Sequence, residues 1–440
     1  MPKFHQTRRH WIAYGVIFAT VAVSYLLWIA AMWRRGELYD VPWIYLAKLG
    51  SHGALTLMCW AFILATRFRP VEWLFGGLDK VYRGHRVVGE SAFFLILLHP
   101  IFLAVARAEE AGGFLRYLWF SGDWARNTGI LSLGIFTLLV VLSMYWKIAY
   151  HRWKRTHDFF GVLFVLIIAH AVISRGEIMR YPELAVWHGA WCSVGLAAYI
   201  YIRGIYRFAG PQYDFRTTGV REIGDHITEV LLEPVGRGMD FQPGQFLYIS
   251  FDSDAVSEEP HPFSISSPPG VLPMRLSIKR LGDWTRNIDA IGHGEPARVW
   301  GPYGHFSEML AKRPDLPVVL IGGGIGITPM LSIAGSDLPG RRDGGITLIY
   351  AVPDEASRVY HDELLACAAA NPQLDYHCHL SDEQGFINAA YLEKTLGRPL
   401  PEHLFMVCGP TPMMWAMRKL FQSADVPPTC VIMEDFAIRD

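Results

Sequence analysis

No two cysteines of this 440-residue chain stand at C-x-x-C spacing. The six, at 59, 192, 367, 378, 408 and 430, are scattered, which argues against an iron–sulfur domain, a zinc site and a disulfide framework. Charge is scarce too. Asp, Glu, Lys and Arg make up 18% of residues and the net charge is −1, so nucleic acid is not an indicated partner. No internal repeat or low-complexity tract is found, which sets aside solenoids and linker-like chains.

Apolar residues are plentiful, at 51%, and the mean hydropathy of +0.20 is high for a soluble protein. The average hides a division. Residues 11–205 are apolar segments broken by basic loops, and residues 213–440 read as a soluble α/β protein rich in Pro and Gly. The boundary falls near RGIYRFAGPQYDF, residues 203–215. The length suits two or three domains. The sequence predicts a membrane domain over 1–207, a second domain over 213–310 and a third over 316–440.

A hydrocarbon core of about 30 Å needs about 20 largely apolar residues in a helix. Six stretches meet this: 11–33, 43–65, 87–107, 129–148, 158–174 and 185–205. The first is too long for a signal-peptide core and ends at Arg34-Arg35, so it reads as an anchor. The loops differ in charge. KFHQTRRH, RFRPVEWLFGGLDKVYRGHR, KIAYHRWKRTH and RGIYR are more basic and less acidic than RRGELYD, RAEEAGGFLRYLWFSGDWARN and SRGEIMRYPE. The positive-inside rule then puts the first set, both termini and the soluble half in the cytoplasm. The expected location is a bacterial cytoplasmic membrane, with lipid around the six helices.

Histidine is costly in hydrocarbon, yet segments three and five carry two each. His85 and His99 are 14 residues apart, and His157 and His170 are 13 apart. Each pair is separated by about 20 Å along its helix axis. One histidine from each helix at matching depth makes an axial pair for haem iron, and two such pairs predict two stacked haems. The alternative is a set of buried histidines bonded to backbone or to each other. Rotation fits the third segment better than the fifth. At about 100° per residue, 14 steps return to within about 40° of the same face, whereas 13 land about 140° away. Either the fifth helix is distorted or His157 sits at its irregular entrance. His52 and His188, each alone on its segment, read as structural or as propionate contacts at most, and His5, His10 and His151 as solvated.

In the soluble half, ITEVLLEP, QFLYISF, MRLSIKR and ARVWGPYG alternate as short strands, which suggests a small antiparallel β-barrel. Within it lies HPFSISSPP. His261, Pro262, Phe263 and Ser264 can offer an edge to a flavin ring, with Ser264 facing N5 or O4, or can be a plain edge strand. IKRLGDWTRNI supplies Ile278, Lys279, Gly282, Trp284 and Thr285. Gly282 permits a tight turn there and Thr285 can cap a helix whose N-terminus would suit a pyrophosphate, or the helix is merely capped. LPVVLIGGGIGITPMLSI runs a buried strand through Gly322, Gly323, Gly324, Ile325, Gly326, Ile327, Thr328 and Pro329 into a helix, a dinucleotide-loop context although its pattern is G-x-G-x-x-P. CGPTPMM places Cys408, Gly409 and Pro410 at the end of another strand of an expected parallel sheet. A packing and a redox role for Cys408 are equally open. Phe436 can cover a flavin face or fill a core.

In this order the pieces resemble the ferric reductase and NADPH oxidase superfamily over nearly the whole chain. HPFSISS resembles its flavin motif, GGGIGITPML and CGPTPMM its two nucleotide loops, and the 14 and 13 spacings its haem ligands, awkward 13 included. The resemblance implies a six-helix haem-binding membrane bundle joined to a ferredoxin-reductase-like module: an FAD barrel and an α/β NAD(P)H domain. It implies FAD, two haems b and NADPH or NADH as cofactors. His85 and His157 would hold the inner haem, His99 and His170 the outer. Ser264, Cys408 and Phe436 would be the residues nearest the chemistry. The acceptor would be oxygen, giving superoxide, or a ferric chelate. Two departures stand out: Pro353 in IYAVPDEAS where related domains often carry Arg, and AIRD after Phe436. No calcium-binding loop is found, so calcium control is not indicated. The rivals are a ferric-chelate reductase, a haem subunit serving a partner protein, and a non-redox receptor. The chain's own flavin and nucleotide motifs speak against the last two.

Overall fold

The computed structural model describes residues 8–144, 146, 150–210, 212–224, 226–304, 306, 310, 313, 316–342 and 344–433. The chain divides into two compact units, residues 8–208 and residues 209–433.

In the first unit six helices are long and apolar enough to cross a membrane: Trp11–Arg35, Pro42–Leu64, Leu78–Ala106, Trp124–Met144, Arg152–Ile173 and Pro182–Ile205. The second and sixth start on prolines, whose fixed φ suits a first helical turn and whose missing N–H costs nothing there. The third starts at Leu78, nine residues before hydropathy alone places it. Charged DKVYRGHR continues the helix rather than preceding it, so His85 is well inside. Small residues let the helices touch. A Cβ on Gly50 would lie 2.6 Å from the Leu95 carbonyl oxygen, and one on Gly53 2.2 Å from Tyr25 Oη.

The fifth span is broken. Helices Tyr150–Asp158 and Phe160–Ile173 meet at Phe159, whose N–H donates to Thr156 O, an i−3 bond instead of i−4. Such a turn winds about 120° per residue instead of about 100°, so one tightened turn reduces the 140° offset of His157 and His170 to about 80°. Of the two explanations open from sequence, local distortion is the one found. The sixth helix braces the break: Tyr199 Oη donates to Asp158 O (3.3 Å), and Arg203 pairs with the Asp158 carboxylate (2.8 Å).

The second unit begins with six antiparallel strands: β1 Gln212–Ile223, β2 Ile227–Pro234, β3 Phe246–Phe251, β4 His261–Ser264, β5 Met274–Lys279 and β6 Pro296–Tyr303. Their order is β4-β3-β6-β1-β2-β5, and a bridge between Ile265 and Leu276 joins the two edges, closing the sheet as a barrel. Inward residues of alternate positions, among them Val230, Leu232, Leu247, Ile249, Leu276, Ile278 and Val299, fill it. Five parallel strands follow: β7 Val318–Gly323, β8 Ile346–Val352, β9 Leu374–Leu380, β10 Leu404–Cys408 and β11 Val431–Met433. They are apolar on both faces because helices cover both, one core lying on Leu320, Leu348 and Leu364, the other on Val319, Val407 and Phe421.

Candidate functional site

The parallel sheet runs β11-β10-β7-β8-β9. From β7 the chain proceeds outward through β8 and β9, then returns to the other side of β7 as β10. That reversal is the place where open α/β sheets bind ligands, beyond the carboxyl ends of the two central strands. Both glycine loops stand there. Gly322 pairs with Cys408 across β7 and β10, so GGGIG and CGP leave the sheet side by side. Much of the glycine pattern serves this approach. A Cβ on Gly326 would fall 2.4 Å from the Cys408 carbonyl oxygen, and one on Gly323 2.3 Å from Met413 Sδ. Gly324 differs: its φ is +54° and nothing lies within 4 Å of its would-be Cβ, so it is the position at which a ligand can approach the backbone. Ile325 lies in the same loop, Ile327, Thr328 and Pro329 are buried beneath it, and Pro410 caps the helix Thr411–Ser423. The Cys408 side chain is buried in the core of the sheet.

On the barrel, β4 pairs with β3, Ser264 opposite Phe246 and Pro262 opposite Tyr248. Among the described residues no hydrogen bond engages the Ser264 hydroxyl. It remains a donor or acceptor for a ligand. Trp284 stacks on Phe263 (ring centroids 5.7 Å) and lies over His261 (4.3 Å), so the three rings form one aromatic patch. One expectation for the neighbouring turn needs correction, and the other, capping by Thr285, is met by a capping box. Gly282 has φ −102°, an ordinary extended value, and makes no tight turn. Thr285 sits in the first turn of a four-residue helix and reaches back, accepting from the N–H groups of Leu281 and Gly282. Those two donors are consequently spent within the loop. Ile278 is also reassigned: its side chain fills the barrel core, whereas neighbouring Lys279 is exposed. Phe436 lies outside the described residues.

The tail of the flavin motif joins the two domains of this unit. Ser332 Oγ, on the helix after the glycine loop, donates to Ser267 O (2.8 Å). Arg275 of β5 holds Glu363 of the helix His361–Ala370 through two hydrogen bonds (2.9 and 2.6 Å) and touches buried Glu229 (3.4 Å). Sequence reasoning missed this clamp, because nothing in MRLSIKR marks Arg275 as more than a strand residue facing solvent. Arg275→Met breaks both hydrogen bonds to Glu363 and leaves buried Glu229 with Arg221 as its remaining arginine partner (2.6 Å). It is expected to lower the melting temperature of the flavin-loaded protein, read by flavin fluorescence, whereas Glu363→Gln, at a half-exposed partner, lowers it by less.

In the membrane unit the four histidines share one arrangement. His85 Nδ1 donates to Ala61 O (2.8 Å) and His99 Nδ1 to Ala47 O (3.1 Å), both on the second helix. His157 Nδ1 bonds Ser143 Oγ (3.2 Å) and His170 Nδ1 bonds Thr128 Oγ1 (3.1 Å), both on the fourth. A bond through Nδ1 fixes the ring, and Nε2 would then be the atom that could ligate a haem iron. The rings of His85 and His157 stand 6.0 Å apart, centroid to centroid. With a metal–nitrogen bond of about 2 Å, two imidazoles on one iron stand about 6 Å apart. The residues fit an axial pair. Gly129 makes room for the other helix partner: a Cβ there would lie 2.9 Å from His170 Cε1. His52 and His188 are different. They bond each other, Nδ1 to Nε2, at 3.0 Å.

Comparison with known proteins follows the same division. The family model of a ferric reductase like transmembrane component matches residues 51–168, that of an FAD-binding domain 213–305 and that of an oxidoreductase NAD-binding domain 320–419. The chain belongs to the ferric reductase and NADPH oxidase superfamily. A respiratory burst oxidase homolog protein G of Arabidopsis thaliana is 25% identical over 387 residues, covering 70% of this chain and 44% of that protein. The ferredoxin reductase component of 3-ketosteroid-9-alpha-monooxygenase from Rhodococcus rhodochrous is 30% identical over 203 residues, 44% of this chain and 56% of that protein. The chain thus spans about half the length of these curated relatives. Among solved structures it is similar to a flavohemoglobin from Malassezia yamatoensis, with 20% identity, 77% of this chain and 93% of that one covered, and a TM-score of 0.48. As a member of the ferric reductase superfamily, this chain carries membrane, FAD and nicotinamide modules in that order on one polypeptide.

Proposed function

We propose that this chain takes hydride from cytoplasmic NADPH or NADH and delivers electrons singly, across the membrane, to an extracytoplasmic acceptor, most favourably oxygen, giving superoxide. The carrying observation is the common posture of His85, His99, His157 and His170, each anchored through Nδ1, with a 6.0 Å ring separation in the one pair measured. Bound FAD would accept electrons as a pair and two haems b would pass them on one at a time, which is why the chain needs both.

The residues then divide the work. The paired loops at Gly322–Gly326 and Cys408–Pro410 offer the nucleotide a crevice, Gly324 being the open point of backbone approach. Ser264, with its hydroxyl unengaged, and the patch of His261, Phe263 and Trp284 are the flavin candidates on the barrel. His85 with His157, and His99 with His170, are the ligand pairs toward the inner and outer faces. Basic loops on one side of the bundle support a cytoplasmic position for both termini and the soluble unit.

The acceptor is argued from the outer loops. Arg34, Arg35, Arg107, Arg116, Arg126, Arg175 and Arg180 would attract an anionic ferric chelate and would equally stabilise superoxide, so they do not discriminate. Oxygen, small and neutral, needs no dedicated site. The test is NAD(P)H-driven cytochrome c reduction in air, with and without superoxide dismutase, beside anaerobic ferric-chelate reduction. Dismutase should abolish the aerobic signal. Dismutase-insensitive reduction with fast anaerobic iron reduction would make the chain a ferric-chelate reductase instead.

A further inference from the structure

A chain of four titratable side chains lies buried in the bundle, apart from the haem ligands. His188 of the sixth helix bonds His52 of the second at 3.0 Å, ring stacked on ring. His52 Nε2 faces Glu177 Oε2 at 3.7 Å, and Lys48 Nζ lies 3.2 Å from the same oxygen. His52 and His188 are each 1% exposed and Glu177 is 5% exposed. His52 Nε2 and His188 Nδ1 lack a hydrogen-bond partner among the described residues, while Glu177 meets Lys48 and Trp28. Such groups are expensive in a membrane protein, and packing does not require them. Lys48 is the more open end of the row, at 18% exposure, and it directly follows Ala47, whose carbonyl anchors His99.

We propose that Lys48, Glu177, His52 and His188 form a proton-loading site in the outer half of the bundle, which binds one proton as an electron arrives at the haem held by His99 and His170. This rests on the reading above, in which that haem is the outer one. The charges balance. A Lys48 ammonium, a Glu177 carboxylate and two neutral imidazoles sum to zero; one proton from extracytoplasmic water, shared between His52 Nε2 and Glu177 Oε2, makes the row +1 against the electron's −1. When the electron passes to the acceptor, the proton returns to outer water.

The neighbours are compatible with titration near neutrality. Burial pushes the Glu177 carboxyl up to about 7, with Trp28 of the first helix and Arg180 of its own turn working against that rise. Arg180 is itself taken by Glu37 (2.6 Å), which also accepts from Tyr181 Oη (2.6 Å). Arg107, at the end of the third helix, is the remaining cation near Lys48, and His99 is the haem-side neighbour of His52. A proton bound more tightly in the reduced state makes reduction harder as pH rises, so the potential falls with pH. One proton per electron gives about 59 mV per pH unit, the value of a tenfold change for a one-electron couple.

The experiment is a spectroelectrochemical titration of the full chain in nanodiscs, with haem content measured on the same sample, across pH 7. One of the two haem potentials should fall by several tens of millivolts per pH unit (up to the 59 mV limit). In Glu177→Gln and His52→Asn that slope should flatten, with the other haem unchanged. Two pH-independent potentials in the unmodified protein would overturn the proposal without recourse to any variant, and an undiminished slope in both variants would do the same. A preparation without haem would fail the broader reading and this inference together; two haems with flat potentials would fail the inference alone.

Discussion

His99→Ala is expected to lower the haem content from two per chain to about one and to cut NAD(P)H-driven reduction of the extracytoplasmic acceptor by more than about 100-fold. That figure is a lower bound, since loss of an outer-shell partner already costs about 10–100-fold in metal affinity or activity, and here the ligand itself is removed. The second helix holds His99 through Ala47 O, and the fourth holds His170 through Thr128 Oγ1. Electron entry should survive. The soluble unit, residues 209–440, carries all the flavin and nucleotide candidates and none of the four histidines, so reduction of a soluble dye by NAD(P)H should stay near the unmodified rate. Pyridine haemochrome analysis and the two acceptor assays on one preparation check this. Two haems retained in His99→Ala would remove His99 from the ligand set.

Where pattern and physics agree in one dimension, the sequence was legible. Six apolar stretches became six helices, and four alternating strands became four of the six barrel strands, because apolar length and period-2 alternation depend on local chain geometry alone. The pairing of His85 with His157 was legible from depth, since matched positions on two helices need no knowledge of side-chain contacts. What escaped depends on partners distant in sequence. The third helix starts at Leu78 because DKVYRGHR continues as helix once the bundle is assembled, although its hydropathy says loop. The break at Phe159 was anticipated as a rotation problem, but its brace, Tyr199 and Arg203, lies some 40 residues away. Arg275 and Glu363, 88 residues apart, leave no mark in either local pattern. Lys48 and Glu177 escaped in the same way: one lies inside the second apolar segment, the other in a loop 129 residues later, and only the fold brings them together.

Gly326→Ala is expected to damage nucleotide use far more than its single added carbon suggests. The new Cβ would lie 2.4 Å from Cys408 O, 2.6 Å from Cys408 C and 2.7 Å from Gly409 Cα. All three are backbone atoms at the end of β10, fixed by the register that pairs Cys408 with Gly322. No side-chain rotation relieves the clash. The two loops must separate, at a cost of about 1–3 kcal/mol or more for an overpacked site. They line the crevice at the switch point, so the displacement falls where NAD(P)H is proposed to bind. Hydride transfer to flavin in stopped flow should slow by at least about tenfold, equivalent to about 1.4 kcal/mol, with haem content unchanged. Gly324→Ala supplies the contrast. It meets no atom within 4 Å, but φ is +54° there, so the strain is about 1–2 kcal/mol and local. If a phosphate occupies the open space at Gly324, this substitution should raise KM for the nucleotide more than it lowers kcat. Unaltered melting and unaltered flavin reduction in Gly326→Ala would mean that the loops do not pack as they stand, and the crevice between β7 and β10 would lose its claim to the nucleotide.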